Sequence, residues 1–142
     1  MICSVTREDY PHLLKVLETM VEDISDFIKE DDFEFFKKYR MAYYFERLCF
    51  FAYTDQKGNV KGFLGVSEEK VEMLFIGTEF RGKGIAKKLM DFVINNLKIT
   101  KADISESNKT AVSFFNHLGF KVIGRSETDR EGKNYPTLHL EK

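Results

Sequence analysis

Three short segments rich in apolar and aromatic residues follow one another through the middle of the chain, at residues 48–53, 60–66 and 71–76. Strand-forming residues dominate each segment, and turn residues separate them at 55–59 and 68–69. Because such short connections join neighbouring antiparallel strands, the sequence predicts an antiparallel meander.

Apolar residues change to a helical spacing on both sides of this meander. Before it, steps of three and four predict a helix over residues 10–28, and a run rich in Phe and Tyr predicts a second helix over 31–44. After it, residues 85–97 place their apolar side chains on one helical face. The remaining predicted elements are a first strand at 2–5, a strand at 102–105, a helix at 108–118 and a final hairpin at 121–126 and 135–140.

The predicted order of elements is β-α-α-β-β-β-α-β-α-β-β. Only the unit from the third meander strand through the next helix to the following strand has the length of a parallel crossover. With 142 residues and no linker-like segment, we expect residues 1–142 to form a single α+β domain. Its sheet should be mixed but largely antiparallel, with helices flanking it.

Charge and cysteine content exclude several classes of function. The net charge of −1 favours neither a general nucleic-acid binder nor a protein that binds anionic membranes. Cys3 and Cys49 lie far apart without metal-ligand spacing, so we expect no zinc site, no other metal site and no disulfide. No signal segment or membrane-spanning run is recognisable, which predicts a cytoplasmic protein.

The segment after the third meander strand has the composition of a phosphate-binding turn. It contains Gly82 and Gly84 directly before a predicted helix, and four cationic side chains accompany them: Arg81, Lys83, Lys87 and Lys88. Free backbone N–H groups at a helix start attract anions, and glycine lets an anion approach the main chain closely. A compound with several phosphate charges therefore fits this segment.

Three phosphate-binding patterns compete for the segment. A nucleotide-binding P-loop would need a Ser or Thr hydroxyl where Gly84 stands, and a dinucleotide fingerprint would need a third glycine where Lys87 stands. The third pattern, Arg/Gln-x-x-Gly-x-Gly/Ala after a strand, is matched by Arg81, Gly84 and Ala86.

With that third match, the segment resembles the acetyl-coenzyme-A loop of the GCN5-related N-acetyltransferases, the GNAT family. A second block, Asn108-x-x-Ala111-x-x-Phe114-Phe115-x-x-Leu118-Gly119-Phe120, is similar to a later motif of that family. The stretch 124–136 is similar to a small bacterial subgroup. The resemblance is good over residues 60–140, and the first half agrees by element order.

The resemblance implies an enzyme that transfers an acetyl group from acetyl-CoA to a primary amine by direct attack. It places the pyrophosphate on the turn into the helix, and the pantetheine arm beside the preceding strand. The predicted cofactor-binding residues are Leu74, Phe75, Ile76, Arg81, Gly82, Lys83, Gly84, Ile85, Ala86, Lys87, Asn108 and Phe115. Main-chain groups of Leu74 and Ile76 should bond the arm, and a backbone N–H near Phe75 should stabilise the charge on the carbonyl oxygen.

The sequence does not determine which residues transfer the protons. The candidate bases are Asp103 and Glu72, which stand on the two strands beside the cofactor site that the resemblance implies. Many family members protonate the leaving thiolate with a tyrosine, but Phe115 occupies that position here. Three explanations stay open: the thiolate leaves without an acid, another hydroxyl such as Tyr53 or Tyr135 enters the cleft, or the protein is a non-catalytic acyl-CoA-binding or sensor module.

Other residues receive a structural interpretation. Asn108 is expected to cap its helix, with or without a ligand contact. His12, His117 and His139 have no partner at a useful spacing and are predicted to be surface or core residues. The acceptor, a small-molecule or peptide amine, and the choice between monomer and homodimer are not specified by the sequence.

Overall fold

A seven-stranded sheet runs through the centre of the computed structural model, which describes Met1–Lys142. Its strands are β1 (Ile2–Ser4), β2 (Cys49–Thr54), β3 (Val60–Val66), β4 (Lys70–Ile76), β5 (Lys101–Ser105), β6 (Lys121–Ser126) and β7 (Thr137–Glu141). The order across the sheet is β1-β2-β3-β4-β5-β7-β6. Only β4 and β5 run parallel, so the predicted mixed, largely antiparallel sheet is confirmed.

Helices cover both faces of this sheet. They are α1 (Tyr10–Thr19), α2 (Val21–Ile24), α3 (Glu30–Phe35), α4 (Met41–Phe45), α5 (Ile85–Leu97) and α6 (Lys109–His117). A π-helical turn, Phe36–Arg40, joins α3 to α4. The second predicted helix is therefore confirmed as a continuous helical segment with a local irregularity. None of the helices is long and apolar enough to cross a membrane.

The first predicted helix, residues 10–28, is wrong in its second half. α1 ends at Thr19, and Met20 adopts a non-helical conformation before the single turn of α2. Thr78 lies at the break, where its hydroxyl oxygen is 2.6 Å from the Thr19 carbonyl oxygen, the acceptor that a continuing helix would use, and 2.6 Å from Asp23 Oδ2. The Thr19 hydroxyl also donates to the Val16 carbonyl within the last turn, at 2.7 Å.

The last predicted strand begins two residues later than expected. Tyr135 is held by contacts of its side chain, and Pro136 has no N–H to donate to a strand ladder, so β7 starts at Thr137. β7 then inserts between β5 and β6, which makes β6 an edge strand.

Two apolar cores form, one on each face of the sheet. The core under α5 and α6 contains Leu64 and Phe115, and the core under α1 to α4 contains Phe63 and Met73. β3 supplies both cores because successive strand residues point to opposite faces.

A β-bulge at Glu72 changes the course of β4. Gly65 pairs with Met73 and Val66 pairs with Val71, so Glu72 is the extra residue on β4. As a result, Val71 and Met73 pack into opposite cores although they are two residues apart. Beyond the bulge β4 separates from β5, because the two strands pair only at Lys70 with Lys101 and at Val71 with Ala102.

Candidate functional site

A cleft of about 960 Å³ opens where β4 and β5 separate. The second half of β4, the turn into α5, the end of β5 and the start of α6 line it, together with the α2–α3 region and the loop before β7. This volume lies in the range of small-molecule sites in proteins. The strand separation therefore creates an elongated site with an unpaired edge of β4 on one side.

The turn into α5 presents a row of free backbone donors. The amides of residues 82–87 donate to no backbone or side-chain acceptor of the protein. Gly82 and Gly84 have φ of 76° and 78°, and a Cβ built on either would meet no atom within 4 Å. Both glycines thus leave open space over the N-terminus of a 13-residue helix, where the N–H groups and the helix dipole favour an anion.

The cationic side chains of this turn divide into two groups. Arg81 and Lys87 line the cleft, where Arg81 lies 3.3 Å from Asp23 and Lys87 lies 2.8 Å from Asp91. The side chains of Lys83 and Lys88 lie outside the cleft lining. The main-chain amide of Lys83 is nevertheless one of the free donors of the turn.

The strand residues predicted to bind the cofactor face the opening. Leu74, Phe75 and Ile76 all line the cleft, and their pairing partners lie on β3. Since β5 has moved away, the backbone groups on the β5 side of this segment have no strand partner. An extended ligand with amide groups can bond this edge as an added strand would.

The start of α6 forms the opposite wall. Asn108 accepts a hydrogen bond from the Ala111 amide at 3.1 Å, which confirms its predicted role as N-cap, and it also lines the cleft. Phe115 is 1% exposed, and its ring packs against Phe114 and Phe120 at centroid distances of 5.3 and 5.2 Å. Phe115 therefore belongs to the core at the inner end of the cleft and presents no hydroxyl there.

Both candidate bases line the cleft, and each already has a charged partner. Glu72 lies 2.5 Å from Arg130 of the loop before β7. Asp103 lies 2.6 Å from Lys70 and 2.7 Å from Nδ1 of His139. The bulge in β4 points Glu72 toward the loop, and its side chain is only 11% exposed.

His139 was predicted to lack a partner, and that prediction is wrong. Its Nδ1 contacts Asp103, and its Nε2 lies 2.7 Å from the hydroxyl of Ser126. All three residues line the cleft. No local spacing indicates this contact, because it arises from the insertion of β7 between β5 and β6.

Of the two tyrosines named as alternative hydroxyl donors, Tyr135 lines the cleft and Tyr53 does not. The Tyr135 hydroxyl donates to Asp32, and burial together with this bond raises the pKa of Tyr135. Tyr53 instead contacts Lys88 of α5, with 3.4 Å between the hydroxyl and Nζ. Tyr44 of α4 also lines the cleft, and burial raises its pKa.

Asp32 ties the loop before β7 to the start of α3. It accepts hydrogen bonds from Tyr135 and, at 3.1 Å, from Lys133, and these bonds lower the pKa of Asp32. A carboxyl group whose pKa is lowered on folding stabilises the protein above its unfolded pKa, and loses that effect as the pH falls through the folded value.

We therefore expect Asp32→Asn to lower the free energy of unfolding at about pH 6. This loss should become progressively smaller as the pH falls toward about 3. Urea unfolding at the two pH values measures this difference. Asp31→Asn is the matched control, since Asp31 is in the same helical turn, is exposed and forms no side-chain hydrogen bond or ion pair. Equal pH dependence in the two variants would show that the Asp32 contacts do not hold the loop.

Comparison with known proteins identifies the family. The sequence profile described as "Acetyltransferase (GNAT) domain" matches residues 22–141. The peptidyl-lysine N-acetyltransferase YjaB of Salmonella typhimurium is 42% identical over 89 residues, which are 63% of this chain and 61% of that protein. The chain therefore matches about three fifths of the length of that relative.

Solved structures agree with the profile. The apo-form solution structure of YjaB from Escherichia coli superposes with a TM-score of 0.87 at 25% identity, covering 99% of this chain and 95% of the other. The PaiA N-acetyltransferase of Thermoplasma acidophilum, crystallised in complex with coenzyme A, shares the fold with a TM-score of 0.77 at 18% identity, covering 100% and 98%.

The chain belongs to the GNAT acetyltransferase family. Its splayed central strands, the glycine turn into α5 and the capped start of α6 lie where the resemblance in the sequence placed the corresponding motifs.

Proposed function

We propose that this protein transfers the acetyl group of acetyl-CoA to a primary amine, and that the acceptor is a lysine side chain of a peptide or protein. The observation that carries the proposal is the row of free amides at residues 82–87, at one end of a cleft between separated strands. Family membership supports the reaction class. The name of the Salmonella relative supports the choice of lysine as acceptor.

The residues present fit the cofactor. The amides of 82–87 would hold the diphosphate, with Arg81 and Lys87 beside it, and the free edge of β4 at Leu74 and Ile76 would bond the amides of the pantetheine arm. Acetyl-CoA supplies the acetyl group as a thioester. The backbone N–H near Phe75 is the proposed donor to the carbonyl oxygen as it becomes negative.

The acceptor side of the cleft carries carboxylates suited to a cationic amine. Glu72 and Asp103 line the cleft, and Asp26, which follows α2, lies on its wall. A lysine ammonium must lose a proton before its nitrogen can attack, so a base near the acceptor is required. Asp103 and Glu72 are proposed to attract the ammonium group to this part of the cleft.

The protein is proposed to act in the cytoplasm, where thiols stay reduced. Cys3 and Cys49 are both free and exposed, which is compatible with that compartment.

A second candidate function rests on Phe115. Since this residue has no hydroxyl to protonate the thiolate, the protein can instead be an acyl-CoA-binding module that does not turn over. The thiol of coenzyme A, with an ordinary thiol pKa of about 8.5, is a tolerable leaving group without an acid, and this favours catalysis at a reduced rate.

Calorimetry with acetyl-CoA, followed by thiol release with a panel of lysine-containing peptides and small amines, tests both functions. We expect binding and amine-dependent thiol release. Binding without release for every acceptor would support the non-catalytic module, and no heat at millimolar acetyl-CoA would contradict both proposals.

The variant Phe115→Tyr tests whether the absence of an acid at position 115 limits the rate of thiol release. We expect this variant to release thiol faster than the wild type, by about tenfold, because a hydroxyl at the inner end of the cleft can protonate the thiolate. Stopped-flow detection of the thiol measures this rate. Phe114→Tyr, the adjacent aromatic residue that also lines the cleft, is the control. If both variants match the wild type, proton donation does not limit release.

A further inference from the structure

We propose that Ser126, His139 and Asp103 form a proton relay that accepts the proton of the acceptor amine, with His139 as the base. The inference rests on the proposed acetyl transfer and names the groups that activate the acceptor. In this relay Asp103 orients the imidazole of His139 and stabilises its protonated form.

The three side chains are linked by two short hydrogen bonds. Ser126 Oγ lies 2.7 Å from His139 Nε2, and His139 Nδ1 lies 2.7 Å from Asp103 Oδ1. Asp103 Oδ2 is also held, at 2.6 Å from Lys70 Nζ. This is the connectivity of a hydroxyl, an imidazole and a carboxylate in a catalytic triad.

Strand register brings the three residues together. Asp103 of β5 pairs with His139 of β7, and His139 pairs on its other side with Gly124 of β6. A Cβ built on Gly124 would lie 3.5 Å from the His139 ring, so the ring rests against a strand position without a side chain. Three neighbouring strands therefore fix the relay, which favours a precise geometry.

The hydrogen bonds determine which nitrogen carries the proton. An ionised carboxylate only accepts hydrogen bonds, so Nδ1 of His139 must donate to Asp103. In the neutral ring Nε2 is then the acceptor, and the Ser126 hydroxyl donates to it. The free acceptor capacity of the serine oxygen is left for a group in the cleft.

The proton transfer follows from this arrangement. The ammonium N–H bond breaks and its proton passes to Ser126 Oγ, while the proton of that hydroxyl passes to His139 Nε2. The amine nitrogen keeps the electron pair with which it attacks, and Asp103 stabilises the imidazolium. Since the His139 side chain is 33% exposed, the imidazolium can return its proton to solvent.

The surrounding charges favour His139 over the carboxylates as the base. Both oxygens of Asp103 already bond cations or N–H groups, and Glu72 on β4 is paired with Arg130 of the loop before β7. These groups, with Lys70 behind Asp103, are the charged neighbours of the relay.

The test compares pH profiles of amine-dependent thiol release for the wild type, His139→Gln, Asp103→Asn and Ser126→Ala. We expect His139→Gln to lower kcat by about 100-fold and to abolish the acidic limb of the wild-type profile, with KM for acetyl-CoA unchanged. Asp103→Asn should lower kcat by about tenfold or more, because it favours the wrong tautomer. His12→Gln is the control, since His12 is exposed and forms no side-chain hydrogen bond or ion pair.

A second measurement detects the hydrogen bond between His139 and Asp103 without turnover. The Nδ1 proton of His139 should give a downfield imidazole resonance in the ligand-free protein, and Asp103→Asn should remove it. Unchanged kcat and pH profile in His139→Gln, with an active wild type, would overturn the relay alone. An acetyl group found on Ser126 by mass spectrometry would also overturn the relay, because serine would then be a nucleophile. A wild type without acetyl transfer would overturn both the relay and the proposed function.

Discussion

Gly84→Asp is expected to weaken acetyl-CoA binding by about 100-fold or more, equivalent to about 2.7 kcal/mol. The carboxylate would enter the open space over the free amides of residues 82–87 and repel the diphosphate that we place there. Asp is among the few residues other than glycine that tolerate a positive φ, so the helix start should remain folded. Calorimetry measures the affinity, and circular dichroism checks the fold.

Gly58→Asp controls for backbone strain and added charge. Gly58 has φ of 84° and, like Gly84, no atom within 4 Å of a built Cβ, but it lies in the turn between β2 and β3. Both variants should lose similar stability, of about 1 kcal/mol, because each forces a side chain into the left-handed region. If Gly58→Asp weakened binding as much as Gly84→Asp, the loss would reflect global destabilisation and not the anion site.

Phe63→Ala should lower the free energy of unfolding by about 3–5 kcal/mol. Phe63 is 0% exposed on the central strand β3, and its ring packs against those of Phe50 and Phe75 at centroid distances of 6.0 and 5.5 Å. Its removal leaves a cavity directly beneath the cleft segment of β4, since Phe63 pairs with Phe75. Denaturant unfolding measures the loss.

Phe35→Ala is the matched control for that change. Phe35 is 44% exposed at the end of α3, so its truncation should cost about 1 kcal/mol or less. A cost for Phe63→Ala as small as that of Phe35→Ala would contradict the assignment of β3 to the centre of both cores.

The local patterns were sufficient for most of the sheet and for the glycine turn before α5. β3 and β6 have the predicted bounds, and α5 begins at Ile85 as the apolar spacing indicated. Gly82 and Gly84 marked the turn because only glycine adopts a positive φ there without strain. These features are encoded within a few neighbouring residues, and the sequence therefore predicts them well.

Features that depend on distant contacts were not predictable in this way. The break after Thr19 lies at a contact with Thr78, which is 59 residues further along the chain. The helical spacing of residues 20–24 continues past that point, so periodicity alone predicts one long helix.

The contacts of His139 and Glu72 show the same limit more strongly. His139 meets Asp103 and Ser126 only because β7 lies between β5 and β6, an order that no local spacing indicates. The bulge that turns Glu72 toward Arg130 likewise depends on how β4 pairs with β3. The glycines and cationic residues of the turn into α5 lie in one segment, whereas Asp103, Ser126 and His139 come from three strands.

The direct test of the central claim is an NMR titration of the ¹⁵N-labelled protein with coenzyme A. If the free amides of the turn hold the diphosphate, the largest amide shifts will fall at residues 82–87, with further shifts along β4 at Leu74 and Ile76. Shifts confined to other parts of the chain, or none at millimolar coenzyme A, would contradict it.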